Sequence, residues 1–125
     1  MDLNQNVHRL ERISHSKVST FDKDKTLIMA VQSPIEVHGP HLPLGQDLME
    51  ANAFAECTLN ALAAERPDWN FVILPPIPVS IDCVPFPGSV TFPVEIVRGV
   101  AYHSLRSFAR YGFKRLAFSS FRGSP

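Results

Sequence analysis

Two continuous apolar runs and two longer stretches of helical periodicity dominate the chain. TLIMAVQS (26–33) and NFVILPPIPV (70–79) are apolar at successive positions rather than at alternate ones. That is the pattern of strands covered on both faces, as in a parallel sheet. Between them, Leu48, Ala51, Phe54, Ala55, Leu59, Leu62 and Ala63 recur at three- and four-residue steps. This predicts a helix over 48–65 with one stripe on a core. Asp47 with Glu50 resembles a capping box at its start, and Pro67 marks its end. Ile96, Val97, Val100, Ala101, Leu105, Phe108 and Ala109 predict a second helix over 93–111. Pro93 opens it, and Gly112 is placed to stop it in a left-handed C-cap. FKRLAFSS (113–120) supplies a third strand.

Strands expected at 27–33, 71–77 and 114–119, alternating with two helices, predict an α/β fold. Its architecture is three-layer α/β/α around a mainly parallel sheet. Right-handed crossovers bring the C-terminal ends of the strands to one edge, where such sheets bind ligands. The loops at 34–47, 78–91 and 121–125 are therefore the candidate site. Residues 1–25 read as a polar leader ahead of an α/β domain over 26–125. Within it Val7, Leu10 and Ile13 form one apolar edge of a short helix, and His8 and His15 are read as solvated.

Composition narrows the class. Of 125 residues, 45% are apolar and 19% charged, which excludes a disordered or fibrous chain. Twelve Lys and Arg balance twelve Asp and Glu, and a nucleic-acid binder usually carries a basic excess. No apolar run reaches the ~18 residues of a membrane span, and the N-terminus lacks the apolar core of a signal peptide. Cys57 and Cys83 form no CxxC pair, so both are read as free, buried thiols in a reducing cytoplasm. Eleven prolines, above the usual ~5%, cluster at 34–43 and 75–93 and stiffen those loops.

The first of these loops, EVHGPHLPLGQD (36–47), carries the chemistry. Glu36 and His38 are two apart and project to the same side in extended backbone. Asp47 follows a Pro/Gly-stiffened excursion that can fold it back beside them. Two carboxylates and an imidazole suit a divalent transition metal such as zinc or manganese. Asp47 has a competing reading as a helix cap. Cys83 has no sequence-positioned His to activate it as a nucleophile. Trp69 is read as packing, and His103 as a core-edge or surface residue.

EVHGPHLPLGQD resembles the signature of the creatininase family of metal-dependent amidohydrolases, E-x-H-G-x-H-L-P-x-x-x-D, with every hallmark residue in place. Phe86-Pro87-Gly88-Ser89-Val90-Thr91 resembles the family's F-P-G-T-x-x segment, at the expected place after the second strand. Gly112-Phe113, a basic pair and an apolar strand resemble the stretch leading into its N-G-H-G-G-N motif. The resemblance implies a hydrolase of a C–N bond, of the cyclic amide or formamide type, in a small molecule. It implies two divalent ions, Zn2+ or Mn2+, with Asp47 bridging them, Glu36 on one and His38 on the other. A metal-activated hydroxide attacks the carbonyl. His41 is not carried over as a metal ligand and is read as a catalytic-site residue in a positioning or ligand-supporting role, with a purely structural role as the alternative; the resemblance also implies a homo-oligomer.

Departures from that pattern give the alternative. In register, Arg122 stands where the family has a further metal-ligating His, and Ser124 where a glutamate completes the second ion's site. Arginine offers no lone pair to a metal. Val31-Gln32-Ser33-Pro34 replaces the P-x-G-S lead-in, and Asp82-Cys83 replaces Glu-His, which suggests a branch with its own substrate. The chain is also shorter than the family domain and is expected to be truncated at its C-terminus. The competing reading is thus a non-catalytic member that keeps the fold, serving as an interaction or assembly module whose exposed sheet edge pairs with another chain.

Overall fold

The computed structural model describes residues 1–121. Its sheet has four strands, β1 (Val7–Arg9), β2 (Thr26–Val31), β3 (Asn70–Ile73) and β4 (Arg115–Ser119), in the spatial order β1-β3-β2-β4. Every pairing is parallel, with Val7 against Phe71, Ile28 against Val72 and Ile28 against Leu116. Three helices intervene: α1 (His15–Ser19), α2 (Gln46–Glu65) and α3 (Val94–Ala109).

Period-two alternation along β2 and β3 divides the apolar runs between two layers. Met29, Val31, Phe71 and Ile73 pack with Ala51, Ala55, Leu59 and Ala63 of α2. Ile28, Ala30, Val72 and Leu74 face the other way, with Phe21, Phe113 and the half-buried Leu105 and Phe108 of α3. Three alanines on the buried stripe of α2 let that helix lie close on the sheet. The expected three-layer α/β/α arrangement is therefore present. The crossover β2–α2–β3 runs one way across the sheet and β3–α3–β4 runs back past β2, which sends the two helices to opposite faces when both have the same hand.

The second strand is shorter than expected. Pro75 and Pro76 have no N–H to donate, so β3 stops at Ile73. Pairing with β2 resumes at one bridge, where Ile77 N donates to Val31 O at 2.9 Å and Ser33 N donates to Ile77 O at 3.2 Å. Phe54, assigned to the core stripe of α2, is instead exposed, as is Ile96 of α3. Ile96 lies on the face of α3 turned away from Leu105 and Phe108, which meet the sheet, and Phe54 packs on Phe121 instead. Gly112 terminates α3 as expected: its φ is +95°, and Phe113 N donates back to Phe108 O at 3.3 Å. A Cβ here would meet Lys23 Cδ at 3.2 Å. Gly112→Ala is expected to cost about 1–2 kcal/mol, from the left-handed backbone, read as a lower urea midpoint.

The N-terminal segment departs most from expectation. Val7–Arg9 is an edge strand, and only Leu10–Arg12 forms a 3-10 turn, so no helix runs through Val7, Leu10 and Ile13. The polar side chains here are tethers. Asn6 Nδ2 donates to the carbonyls of Ala63, Arg66 and Trp69 at 3.0–3.3 Å. Arg9 is buried against Glu11 at 3.1 Å and Glu56 at 3.6 Å. His8 is not solvated: it stacks on Phe21 and its Nε2 lies 2.9 Å from Asn70 Oδ1. Of the two free cysteines, Cys83 is buried as expected, but Cys57 is exposed on α2. Trp69 packs as expected, stacked on Phe71 and flanked by Arg66 and Arg115.

Candidate metal centre

The strands end beneath two loops that are pinned to one another before any side chain is aimed. Gln32 Nε2 donates to Val79 O and Val97 O at 3.2 and 3.3 Å, joining the exit of β2 to the second loop and to α3. Ser33 Oγ donates to Phe121 O at 2.9 Å and accepts from Phe121 N at 2.7 Å, tying in the end of β4. Ile35 and Val90 form an antiparallel bridge, and Val37 N donates to Ser89 Oγ at 3.0 Å. Gly88, with φ +109°, lies so close to the first loop that a Cβ would come within 2.9 Å of Leu44 Cδ1. The PG turn of the second loop is therefore in contact with the first, as one wall of the cleft.

Within the first loop, Glu36 N donates to Leu44 O at 2.9 Å and Gln46 N to Pro43 O at 3.1 Å. These bonds close the 37–43 excursion at its base and return the chain beside its own start. Asp47 thereby arrives next to Glu36 and His38. One ligand atom from each of the three lies within 4.8 Å of the others. His38 Nε2 is 3.0 Å from Asp47 Oδ2. Glu36 Oε2 accepts from Val84 N at 2.7 Å, a short charge-assisted bond that holds the carboxylate in one orientation. Glu36 and Asp47 are 4% and 2% exposed, while His38 is half-buried.

Asp47 does not cap the helix in the expected way. The N-cap is Gly45, α2 begins at Gln46, and Asp47 sits inside the first turn. Its charge is favoured there by the positive end of the helix. The expected Asp47/Glu50 capping box is absent, and Gln46 Nε2 donates to Glu50 Oε1 at 2.7 Å instead.

Two buried carboxylates no more than 4.8 Å apart repel by about 3–4 kcal/mol at an effective dielectric of 20. A divalent cation between them converts that repulsion to attraction. Three donors at ~2.1 Å from one ion in tetrahedral geometry lie about 3.4 Å from each other, so the observed spread closes if each side chain moves by less than about 1 Å. The donor set of carboxylate, imidazole and carboxylate fits zinc or manganese.

His41 is not part of this cluster. It is exposed at the tip of the first loop, beside a groove lined by Val37, Pro40, Leu42, Leu44, Phe86 and Pro87. Arg122 and Ser124 lie outside the described residues. Sequence reasoning missed the Val84 N–H, since a backbone donor leaves no mark on composition. The local signal is Asp82, a non-glycine residue at φ 50° that turns the chain just before it. Val84→Pro removes the N–H, while also fixing φ at 84 and restricting Cys83, and is expected to weaken divalent-ion binding about 10–100-fold, the usual effect of losing an outer-shell partner, measured by competition with a chelating dye.

Residues 11–123 match the Creatininase family model, described as creatinine amidohydrolase. Among solved structures, a Bacteroides fragilis NCTC 9343 protein described as a creatinine amidohydrolase is similar at 20% identity and a TM-score of 0.75, over 98% of this chain and 49% of its own. A creatininase named as a Mn form is similar at 15% identity and a TM-score of 0.74, over 90% and 45%. A Glu-to-Gln mutant creatininase complexed with creatine is similar at 16% identity and a TM-score of 0.74, over 88% and 43%. The chain thus spans about half the length of these solved structures. No curated protein matches it.

Proposed function

The chain belongs to the creatininase family, and from that premise we propose that it carries the metal-binding half of an amidohydrolase centre acting on a C–N bond of a small molecule. The observation that carries this reading is the convergence of buried Glu36 and Asp47 with His38 at the C-terminal edge of a parallel sheet. Glu36, His38 and Asp47 are the ligands, and the ion is Zn2+ or Mn2+. When bound, such an ion lowers the pKa of its water and polarises a carbonyl oxygen.

The chain's own groups do the rest. Val84 N–H fixes one oxygen of Glu36 and leaves the other to accept. Asp47 Oδ2 lies 3.0 Å from His38 Nε2, so the two present neighbouring donor atoms to one ion, and Asp47 is itself held in the first turn of α2. The groove between the first loop and Phe86-Pro87 offers an apolar wall for a small, flat substrate. His41, on the loop that forms this wall, positions the substrate from the solvent side. The site is read as serving a small molecule, not a nucleic acid, and no helix among the described residues is long and apolar enough to cross a membrane.

The test is hydrolysis of a panel of cyclic amides, creatinine included, with and without added Zn2+ or Mn2+. Metal-dependent turnover that disappears with chelator and in Asp47→Asn is the expected result. Metal binding with no turnover on any of them favours the second reading, a non-catalytic member of the family. One observation supports that second reading. Ser119 O accepts from Gln32 N, so alternation turns the main-chain groups of Leu116 and Phe118 to the open edge of β4. Phe118 and Phe121 are exposed along that rim, with Phe54 packed on Phe121. An uncovered apolar edge strand is a pairing surface. Phe118→Lys is expected to reduce concentration-dependent aggregation of the 125-residue chain severalfold, measured by light scattering.

A further inference from the structure

The outward face of α3 is built for a contact that its own fold does not make. Glu95, Ile96, Tyr102, His103 and Arg106 are all exposed on it, with Ile96 and Tyr102 each about half accessible, at 49% and 52%. Gly99 sits at their centre. Glycine is a poor residue for a helix interior, and a Cβ at this position would meet nothing within 4 Å. No neighbour among the described residues therefore demands a glycine there. The result is a shallow dent lined by Glu95, Arg98, Gly99 and Tyr102, of the kind that lets a second helix approach closely.

We propose that this face of α3 pairs with the α3 of a second copy of the chain, antiparallel and crossing at Gly99. The charges select that occupant and that direction. At 100° per residue, Glu95, Tyr102 and Arg106 fall on one flank of the Gly99 line, and Ile96 and His103 on the other. A two-fold axis at Gly99 keeps flanks together and brings position 99 + k level with 99 − k. Each Glu95 then lies beside the partner's Tyr102 and one turn from the partner's Arg106, within reach of an ion pair. Each Ile96 lies over the partner's His103. A parallel pairing would instead set Glu95 beside the partner's Glu95 and Arg106 beside the partner's Arg106. One helix pair buries less than the ~1,200 Å² of a standard stable interface, so the dimer is weak and concentration-dependent. This surface is on the α3 layer, apart from both the metal cluster and the open edge of β4.

Sedimentation equilibrium between about 5 and 500 µM reads the association, with circular dichroism confirming that each variant folds. The expected result is a weight-average mass that rises above 13.9 kDa with concentration in the unaltered chain. In a Phe118→Lys background, which silences pairing at the β4 edge, Gly99→Leu, a good helix former in open space, is expected to remain monomeric, as is Glu95→Arg. The double variant Glu95→Arg/Arg106→Glu, which restores opposite charges across the two-fold, is expected to recover at least part of the association. Phe118→Lys on β4 is expected to retain it. A monomeric unaltered chain at 500 µM overturns the proposal, as does association that survives Gly99→Leu in the Phe118→Lys background or is lost in Phe118→Lys alone.

Discussion

Asp47→Ala is expected to abolish tight divalent-ion binding, and the loss should exceed the ~10–100-fold that removing an outer-shell partner produces. Asp47 is the residue on which the cluster closes: it is buried, it lies in the first turn of α2, and it touches His38. Removing it leaves Glu36 and His38, two donors on one stretch of loop, where a structural or catalytic zinc site holds at least three. The consequence is visible in stability as well as in binding. A ligand at 100 times its dissociation constant stabilises the native state by about 2.7 kcal/mol. Thermal unfolding of the unaltered chain should shift upward with Zn2+ or Mn2+ at that concentration, and that of Asp47→Ala should not. An equal shift in both proteins would place the ion elsewhere.

Phe71→Ala is expected to have the largest effect on the fold, about 3–5 kcal/mol. Phe71 is 1% exposed and pairs with Val7 on one side and Leu27 on the other. Its ring fills the layer beneath α2 with Met29 and Leu59, and Trp69 stacks on it. Truncation would leave a cavity walled by two strands and a helix, which cannot easily collapse. Domains of this size are stable by about 5–15 kcal/mol, so a fifth or more of the total is at stake. With a urea m-value of about 1.5 kcal/mol/M, the midpoint should fall by roughly 2–3 M. A change below 0.5 M would mean that the layer under α2 is not packed as described.

The elements that were legible in the sequence are those whose pattern is set by burial on a sheet. LIMAV and FVI are apolar throughout because each lies between two helix layers, and their continuous runs announced strands covered on both faces. The spacing of Ala51, Ala55, Leu59 and Ala63 announced α2 for the same reason. What stayed hidden was structure held by polar groups. Val7–Arg9 joins the sheet edge while Asn6 and Arg9 spend their side chains on carbonyls and carboxylates of α2 and the turn after it. Such a strand carries no apolar run to find.

The site divides along the same line. Glu36, His38 and Asp47 were legible as residue types on one loop, but the bonds that gather them were not. Glu36 N to Leu44 O is a main-chain bond, and Val84 offers the Glu36 carboxylate only its N–H, a donor that every residue but proline supplies. The helix-cap reading of Asp47 failed because α2 starts two residues earlier than expected, at Gln46, with Gly45 as its cap. His41 shares the motif but stands outside the cluster, since the excursion that returns Asp47 to the site carries His41 to its exposed tip.

The central claim is that Glu36, His38 and Asp47 hold one divalent ion. The most direct measurement is the metal content of the 125-residue chain, purified without chelator and dialysed against Zn2+ or Mn2+, by elemental analysis beside the triple variant Glu36→Ala/His38→Ala/Asp47→Ala. The account predicts about one equivalent per unaltered chain and close to none in the triple variant. Equal metal content in the two proteins, or none in either, would contradict it.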